Sequence, residues 1–409
     1  MNERLTITAL GHEGDGIAET ATGRIFVPFT LPGETIEADI GGERGQLIEV
    51  IEPSPDRIAA ACRHFGVCGG CAVQHMAPAA YREWKRGLVT DAFAQRGIEV
   101  GVEPLVPLAP HTRRRAVFTV LKDHDGIALG FNRRDSHDVL KIEECPLLVP
   151  AIEKRLPELT LLAGAITERG KRARMTATST DTGLDVSIDG GRKLGRRDFE
   201  SLGQSAEGGP VARLTVGGNE VFASRVPELR TGTLVMYPAA GGFLQAAAPS
   251  EASLGDLVEA SIGKVGPVVD LFSGIGTFTL RLARRFPVLA VEGDGELLKA
   301  LDRSMRYSTG IRQVTTRKRD LFLNPMSPPE LKPYKAVVFD PPRAGAKAQC
   351  EMLAKSTVPT IVAVSCNPAT LARDARILID GGYRLTRVTP VDQFLWSSHV
   401  EVVAAFEKG

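Results

Sequence analysis

Cys366 lies in Val364-Ser365-Cys366-Asn367-Pro368, straight after the apolar run Ile361 to Val364. Such a run ending in a turn signal reads as a buried strand. That puts the thiol at a strand's carboxyl end, where open α/β sheets keep their ligand sites. A helical stretch from Ala369 to Asp380 follows. A thiolate held there is a strong nucleophile suited to covalent catalysis; the plain alternative is a small buried hydrophobe. Acids repeat the placement. Asp270 follows Val268-Val269, Glu292 ends Val288-Leu289-Ala290-Val291-Glu292, and Asp340 ends Ala336-Val337-Val338-Phe339-Asp340. A further strand is expected to end near Asp320, after Arg317-Lys318-Arg319. Core packing gives no reason to set acids at successive strand tips, whereas a ligand cleft does.

The first of these tips continues as Asp270-Leu271-Phe272-Ser273-Gly274-Ile275-Gly276, a strand, a glycine turn and then a helix. G-x-G alone is weak support for any cofactor. Glu292, about 20 residues on, can accept both hydroxyls of a ribose. The third glycine of a pyrophosphate loop is missing, because position 279 is Thr. An acid at position 270 also suits a cationic ligand better than a phosphate. S-adenosylmethionine, an adenosine with an ammonium and a sulfonium but no phosphate, meets both conditions.

A second chemistry-bearing set is Cys62, Cys68 and Cys71, spaced C-x5-C-x2-C, with Gly69 and Gly70 between the last two. Glycines let the backbone wrap tightly around a bound centre. Cys145, followed by Pro146, is the candidate fourth thiolate. Zinc and a [4Fe–4S] cluster both accept four thiolates, and the spacing leaves both open. Cys350 is assigned to neither set.

These residues need a scaffold, and 409 residues suffice for two or three domains. Residues 1–55 carry short strands at Leu5-Thr8, Arg24-Pro28, Glu34-Ile40 and Gln46-Ile51, with turn signals between them. That spacing points to a small β-barrel of the oligonucleotide-binding type. Residues 56–235 are read as a central α+β domain with the cysteine motif. Residues 236–409 are read as a Rossmann-like α/β domain. Net charge gives no vote for nucleic acid, since 50 Lys and Arg face 49 Asp and Glu; that reading rests on local patches. Tyr81-Arg82-Glu83-Trp84-Lys85-Arg86, Arg113-Arg114-Arg115 and Phe131-Asn132-Arg133-Arg134 are such patches. Arginines beside aromatics suit phosphates and unstacked bases, although Asp135, Asp138, Glu143 and Glu144 offset much of this charge. No apolar run is long enough to span a membrane, and no signal peptide is read at the amino terminus. A cytoplasmic protein without disulfides is expected, with a monomer favoured.

The chain resembles the S-adenosylmethionine-dependent RNA uracil-5-methyltransferases along nearly its whole length. The motifs that carry the resemblance are Asp270 to Gly276, Asp340-Pro341-Pro342-Arg343-Ala344-Gly345, Ser365-Cys366-Asn367-Pro368-Ala369-Thr370-Leu371-Ala372-Arg373-Asp374 and His399-Val400-Glu401. It implies a class I methyltransferase domain, with Gln245, Asp270, Phe272, Gly274, Gly276, Glu292, Asp320 and Asp340 around the cofactor. Asp320 would take the adenine amino group. Asp340 would lie by the methyl donor or the uracil edge. Cys366 is implied as the nucleophile and Glu401 as the base. The amino-terminal barrel resembles a TRAM module, and the cysteine motif resembles the [4Fe–4S] motif of the 23S rRNA members, which favours a cluster over zinc. Gly242-Phe243-Leu244-Gln245-Ala246-Ala247 departs from the family's pattern by lacking its asparagine. Phe394-Leu395-Trp396-Ser397-Ser398 departs from Phe-Pro-His-Thr. Phe131 and Arg113 to Arg115 are expected RNA contacts. The alternatives are a tRNA uracil-5 enzyme, an RNA cytosine-5 enzyme and a catalytically silent RNA-binding or assembly protein. An exocyclic-amine methyltransferase needs no cysteine and has an aromatic where Arg343 stands.

Overall fold

The computed structural model describes residues 2–124, 126–206 and 208–409. The first six strands are β1 (Asn2–Thr6), β2 (Ala9–Leu10), β3 (Gly16–Thr20), β4 (Gly23–Val27), β5 (Thr35–Gly41) and β6 (Arg44–Glu52), in the sheet order β1-β5-β6-β4-β3-β2. Their inward residues Leu5, Ala18, Ile25, Val27, Ile36 and Ala38 meet Ile7 in one small core. Sequence reading finds four of these strands. It misses β3 because the residues that strand turns inward are Gly16 and Ala18, too small to make an apolar alternation.

The middle region contributes α1 (Pro78–Ala94), β7 (Arg115–Lys122), β8 (Ile127–Asn132), β9 (Val139–Lys141), α2 (Pro150–Glu153), α3 (Leu156–Ile166), β10 (Arg172–Thr180), β11 (Gly183–Asp189), α4 (Arg196–Ala206), β12 (Val211–Val216) and β13 (Asn219–Ala223). Its sheet runs β13-β12-β11-β10-β7-β8-β9. The expected hairpin at 175–188 is present, with Met175 opposite Ile188 and Ser179 opposite Leu184. β11 and β12 are parallel and need the crossover that α4 provides. Strands β14 (Leu229–Thr231) and β15 (Leu234–Met236) leave this sheet. Their Leu229, Leu234 and Met236 pack with Ile275, Leu298 and Leu301 of the carboxyl-terminal region.

That region contains α5 (Ala248–Ile262), β16 (Val268–Leu271), α6 (Thr277–Ala283), β17 (Val288–Glu292), α7 (Gly295–Tyr307), β18 (Val314–Lys318), α8 (Pro328–Leu331), β19 (Ala336–Phe339), α9 (Lys347–Ala354), β20 (Thr360–Ser365), α10 (Pro368–Asp380), β21 (Tyr383–Val391) and β22 (Glu401–Lys408). The sheet order is β18-β17-β16-β19-β20-β22-β21, parallel up to β20 and antiparallel beyond it. Every residue of β16 and β19 is buried, as expected for parallel strands covered on both faces. The order reverses between β16 and β19, and a doubly wound sheet opens its ligand crevice at that point. The core ignores chain order here. Val89 and Phe93 of α1, with Ile98, Val102 and Leu105 after it, share one apolar cluster with Leu271, Val337 and Ala363. Val102 and Val106 bridge Val388 and Val391 at the edge of β21.

Candidate active site

On the side of β16 the acids are held locally. Asp270 is fully buried, and its Oδ2 accepts from Thr279 Oγ1 at 2.5 Å. Its Oδ1 and the buried Ser273 Oγ have no protein partner, so both call for a ligand atom or water. Burial pushes the Asp270 carboxyl up to about 7, and the Asp340 carboxylate adds to the rise. Glu292 accepts from Gly274 N at 3.0 Å, Gly293 N at 2.7 Å and Asp294 N at 2.9 Å. Phe272 and Gly274 are both in the left-handed region, at φ 59° and 54°. At Gly276, φ 97°, a Cβ would run into Leu301. Asp320 Oδ1 accepts from the backbone N–H groups of Phe322 and Leu323, and the Phe322 ring lies 5.4 Å from that of Phe272. The acids are carried at adjacent strands, Asp270 on β16, Glu292 on β17 and Asp340 just past β19, with Asp320 just past β18. This set fits an adenosine bearing a positive charge: it offers ribose acceptors and an orphaned buried carboxylate oxygen.

On the side of β20, Cys366 is half-buried and stands just before Asn367, which caps α10 by accepting from Ala369 N and Thr370 N. A helix amino terminus favours a thiolate. Burial wins here, joined by the Glu401 and Asp340 carboxylates, and pushes the thiol up to about 11; the Arg343 guanidinium opposes them. The segments carrying Arg343 and Cys366 are tied together. Asn367 Nδ2 and Thr370 Oγ1 donate to Arg343 O, Arg373 Nη2 donates to Ala344 O, and Ala346 N donates to Asp374. A cavity of about 400 Å3 opens over Cys366, walled by Arg343, Asn367, His399 and, from the amino-terminal sheet, His12 and Glu13.

Glu401 and Asp340 are joined by two amides. Gln393 Nε2 donates to Glu401 Oε1 at 3.0 Å and to Gln245 Oε1 at 2.7 Å, and Gln245 Nε2 donates to Asp340 Oδ2 at 3.0 Å. Glu401 Oε2 and Gln393 Oε1 are buried without a partner. Burial raises both carboxyls, and Glu401 is raised further by the Asp340 charge. Arg343 Nη2 lies 2.9 Å from His399 Nε2, and burial together with that cation keeps the imidazole neutral.

Sequence reading missed Gln393, Lys85, Tyr81 and Asp392. Lys85 is 0% exposed; its ammonium donates to Asp392 Oδ1 at 2.7 Å, Phe394 O at 2.9 Å and His399 O at 2.7 Å. Tyr81 Oη donates to the other Asp392 oxygen at 2.7 Å. The signal was present: Tyr81, Lys85, Leu88, Val89 and Ala92 share the buried stripe of α1, and a lysine in such a stripe needs a partner. In two expected RNA-facing stretches, Lys85 and Arg114 therefore turn inward, while Arg82 stays exposed. Arg114 is buried against Glu251 at 2.6 Å and also donates to Gln245 O, because β7 runs between two packed regions. Arg115 donates to Gly242 O, and Arg113 donates to Arg115 O. Arg133 stays exposed, and Phe131 lines the cysteine cavity.

Cys62, Cys68, Cys71 and Cys145 all line one cavity of about 330 Å3, which reaches Arg343, Phe394 and His399. His64 N and Gly70 N point at the Cys62 and Cys68 sulfurs, each at 3.4 Å. Burial pushes the Cys71 and Cys145 thiols up to about 12 and about 11, and the neighbouring thiols add to it. Among the described residues, no three or more His, Cys, Asp or Glu side chains close on a single ion position. Cys350 is buried inside α9.

Residues 312–408 match the tRNA (uracil-5-)-methyltransferase family. An uncharacterized RNA methyltransferase of Brucella suis is 47% identical, over 99% of this chain and 98% of its own. A protein of Halomonas elongata named 23S rRNA (uracil(1939)-C(5))-methyltransferase RlmD is 32% identical, over 98% of this chain and 89% of its own. The fold is similar to that of the Pyrococcus abyssi tRNA (uracil-54, C5)-methyltransferase solved with S-adenosyl-L-homocysteine. The TM-score is 0.78 at 22% identity, covering 98% and 99% of the two chains.

Proposed function

The chain belongs to the S-adenosylmethionine-dependent RNA uracil-5-methyltransferase family, and from that premise we propose that it methylates C5 of a uridine in 23S rRNA through a covalent bond to Cys366. One observation carries the mechanism: β20 pairs with β22 so that Ser365 lies opposite Val402, which sets Cys366 and Glu401 at the ends of neighbouring strands, and Gln393 and Gln245 link Glu401 to Asp340. Uracil C5 is a poor nucleophile until a thiolate adds at C6. The Cys366 sulfur, as thiolate, bonds to C6 and moves the C5–C6 electron pair into an enolate. Bound S-adenosylmethionine supplies the methyl group that C5 then takes. Glu401 removes the C5 proton, the double bond re-forms, and the thiolate leaves. Arg343 favours the thiolate form. Gln245 and Asp340 are placed to orient the uracil edge. The base must leave its stack to reach Cys366 from C6.

Ribosomal RNA is favoured because the Halomonas relative carries that name and matches nearly the whole chain. Mapping 5-methyluridine in 23S rRNA and tRNA, with and without the gene, tests the target. Loss of a tRNA site alone sinks the ribosomal assignment.

The amino-terminal sheet is read as a TRAM-like module beside the RNA. The four cysteines are read as the ligands of a [4Fe–4S] centre in preference to zinc. Metal centres take cysteines as thiolates and release their protons on binding, and all four sulfurs line the same cavity. Such a centre would support folding and RNA placement, since methyl transfer is redox-neutral. Anaerobically purified protein is expected to be brown, with the broad visible absorption of iron–sulfur centres. A colourless protein with one zinc per chain overturns this assignment.

A further inference from the structure

Between Asp392 and His399 the chain forms the loop that precedes Glu401, and α1 grips it from below. All three protons of the Lys85 ammonium are spent on this loop: one on the Asp392 carboxylate, one on Phe394 O and one on His399 O. Tyr81 Oη donates to Asp392 and accepts from Trp396 N at 2.9 Å. The Asp392 carbonyl takes a hydrogen bond from Ser250 Oγ at 2.8 Å. The loop's outer side is held as well, because Trp396 O accepts from Ala72 N at 2.8 Å and Val73 N at 3.2 Å, directly after Cys71. Trp396 itself is left-handed, at φ 60°, a conformation that its surroundings must enforce.

The two residues fixed on either side of Gln393 are Asp392 and Phe394. Gln393 is the residue whose amide reaches Glu401. His399, the third anchor, lies two positions before Glu401. A buried ion pair of this kind is weak support for stability, because desolvation costs as much as attraction returns. Its worth here is geometric: the three acceptors of one ammonium fix the loop's start, middle and end.

We propose that Lys85, with Tyr81, is a positioning residue for removal of the C5 proton, acting through the 392–399 loop and Gln393 on Glu401. The proposal rests on the covalent reading above. It says that α1, far upstream in sequence, governs the second half of the reaction rather than the first. Addition by Cys366 depends on the Arg343 and α10 segments, to which Lys85 makes no hydrogen bond; of its anchors only His399 also meets Arg343, through the imidazole and not the carbonyl that Lys85 holds.

The test uses full-length protein and a 23S rRNA transcript, with methyl incorporation and the covalent protein–RNA adduct on a denaturing gel measured together. Lys85→Met is expected to lower turnover by about 10- to 100-fold, the scale on which misplacement remote from the chemistry acts. The share of protein trapped as adduct should rise at least about tenfold over wild type, by the same misplacement, while S-adenosylmethionine affinity stays at the wild-type value. Tyr81→Phe, which keeps the ion pair, is expected to move both readouts the same way by less, and it carries the test if Lys85→Met does not fold. Lower turnover with an adduct share at the wild-type level in the folded variants means that the clamp only supports the fold, and overturns the proposal. A transcript made with 5-fluorouridine separates the two failures, since the fluorine at C5 cannot leave as a proton does. If wild type forms no adduct on that RNA, the covalent reading falls and the clamp's role falls with it. If wild type is trapped but the variants' share on ordinary RNA does not move, the clamp alone falls.

Discussion

The half of the cleft assigned to the cofactor and the half assigned to the uridine are held by different kinds of contact. Glu292 is fixed by backbone N–H groups at Gly274, Gly293 and Asp294, Asp320 by those at Phe322 and Leu323, and Asp270 by a hydroxyl nine residues away. Each of these three acids is thus set by its own strand tip or the neighbouring turn. Glu401 is set by Gln393, Gln393 by a loop, and the loop by Lys85 and Tyr81 from the far end of the sequence. Gln245 joins through Arg114 of the central sheet, which donates to its carbonyl. The general lesson is one of division. A cofactor shared by many reactions is met by a self-contained βα unit, whereas a particular base is met by side chains that the whole chain must bring together.

Substitutions can break this comparison at either end. Cys366→Ala is expected to abolish methyl transfer, by more than about 10⁴-fold, the scale of losing a nucleophile, and to leave cofactor affinity unchanged by calorimetry. A variant still making 5-methyluridine at the wild-type rate ends the covalent mechanism. Glu401→Gln is expected to slow turnover by about 10²- to 10⁴-fold, the usual worth of a general base. It should accumulate the methylated RNA adduct on a denaturing gel, and no adduct would remove Glu401 from the role of base. In wild type the release step should gain rate with rising pH, since Glu401 acts only when ionised and its carboxyl is held above the ordinary range.

The smallest expected effect belongs to the local half. Asp270 titrates at about 7 in the folded chain against an ordinary 3.8. The folded state therefore holds this proton longer than the unfolded one. Its contribution to stability is fully present below the ordinary value and is lost as pH rises toward 7. A cationic cofactor favours the ionised carboxylate, so S-adenosylmethionine should bind more tightly as pH rises through about 7, the value to which burial pushes Asp270. Asp270→Asn should weaken binding by about 1–3 kcal/mol, the cost of an unmet buried partner, and flatten that pH dependence. A steep dependence retained in the variant would point to another group, with Asp340 the first to examine.

Much of the local half was legible from the chain alone. Val288 to Glu292 and Ala336 to Asp340 announce buried strands with an acid at the tip, and the glycines at 274 and 276 announce the turn between β16 and α6. The cysteines at 62, 68, 71 and 145 were legible as a set by type and spacing, and they do line one cavity. Within the stretch at 113–115, Arg114 and Arg115 misled for a physical reason. A run of arginines carries the same letters whether it faces solvent or crosses an interior seam, and the difference lies in Glu251 and the carbonyls of residues 242 and 245. Lys85 misled in the same way, as a basic residue in a basic stretch.

Sequence by itself determined the candidate residues for the reaction and the βα units that present the acids, because these follow from short-range periodicity, turn chemistry and charge placed at strand ends. Only the tertiary structure decided which polar groups face one another: Gln393 between Gln245 and Glu401, Lys85 beneath the 392–399 loop, and His12 and Glu13 at the mouth above Cys366. The hydrogen bond from Lys85 to His399 alone joins residues 314 positions apart. These pairings depend on how an apolar helix stripe and three sheets pack, and no local pattern encodes that packing.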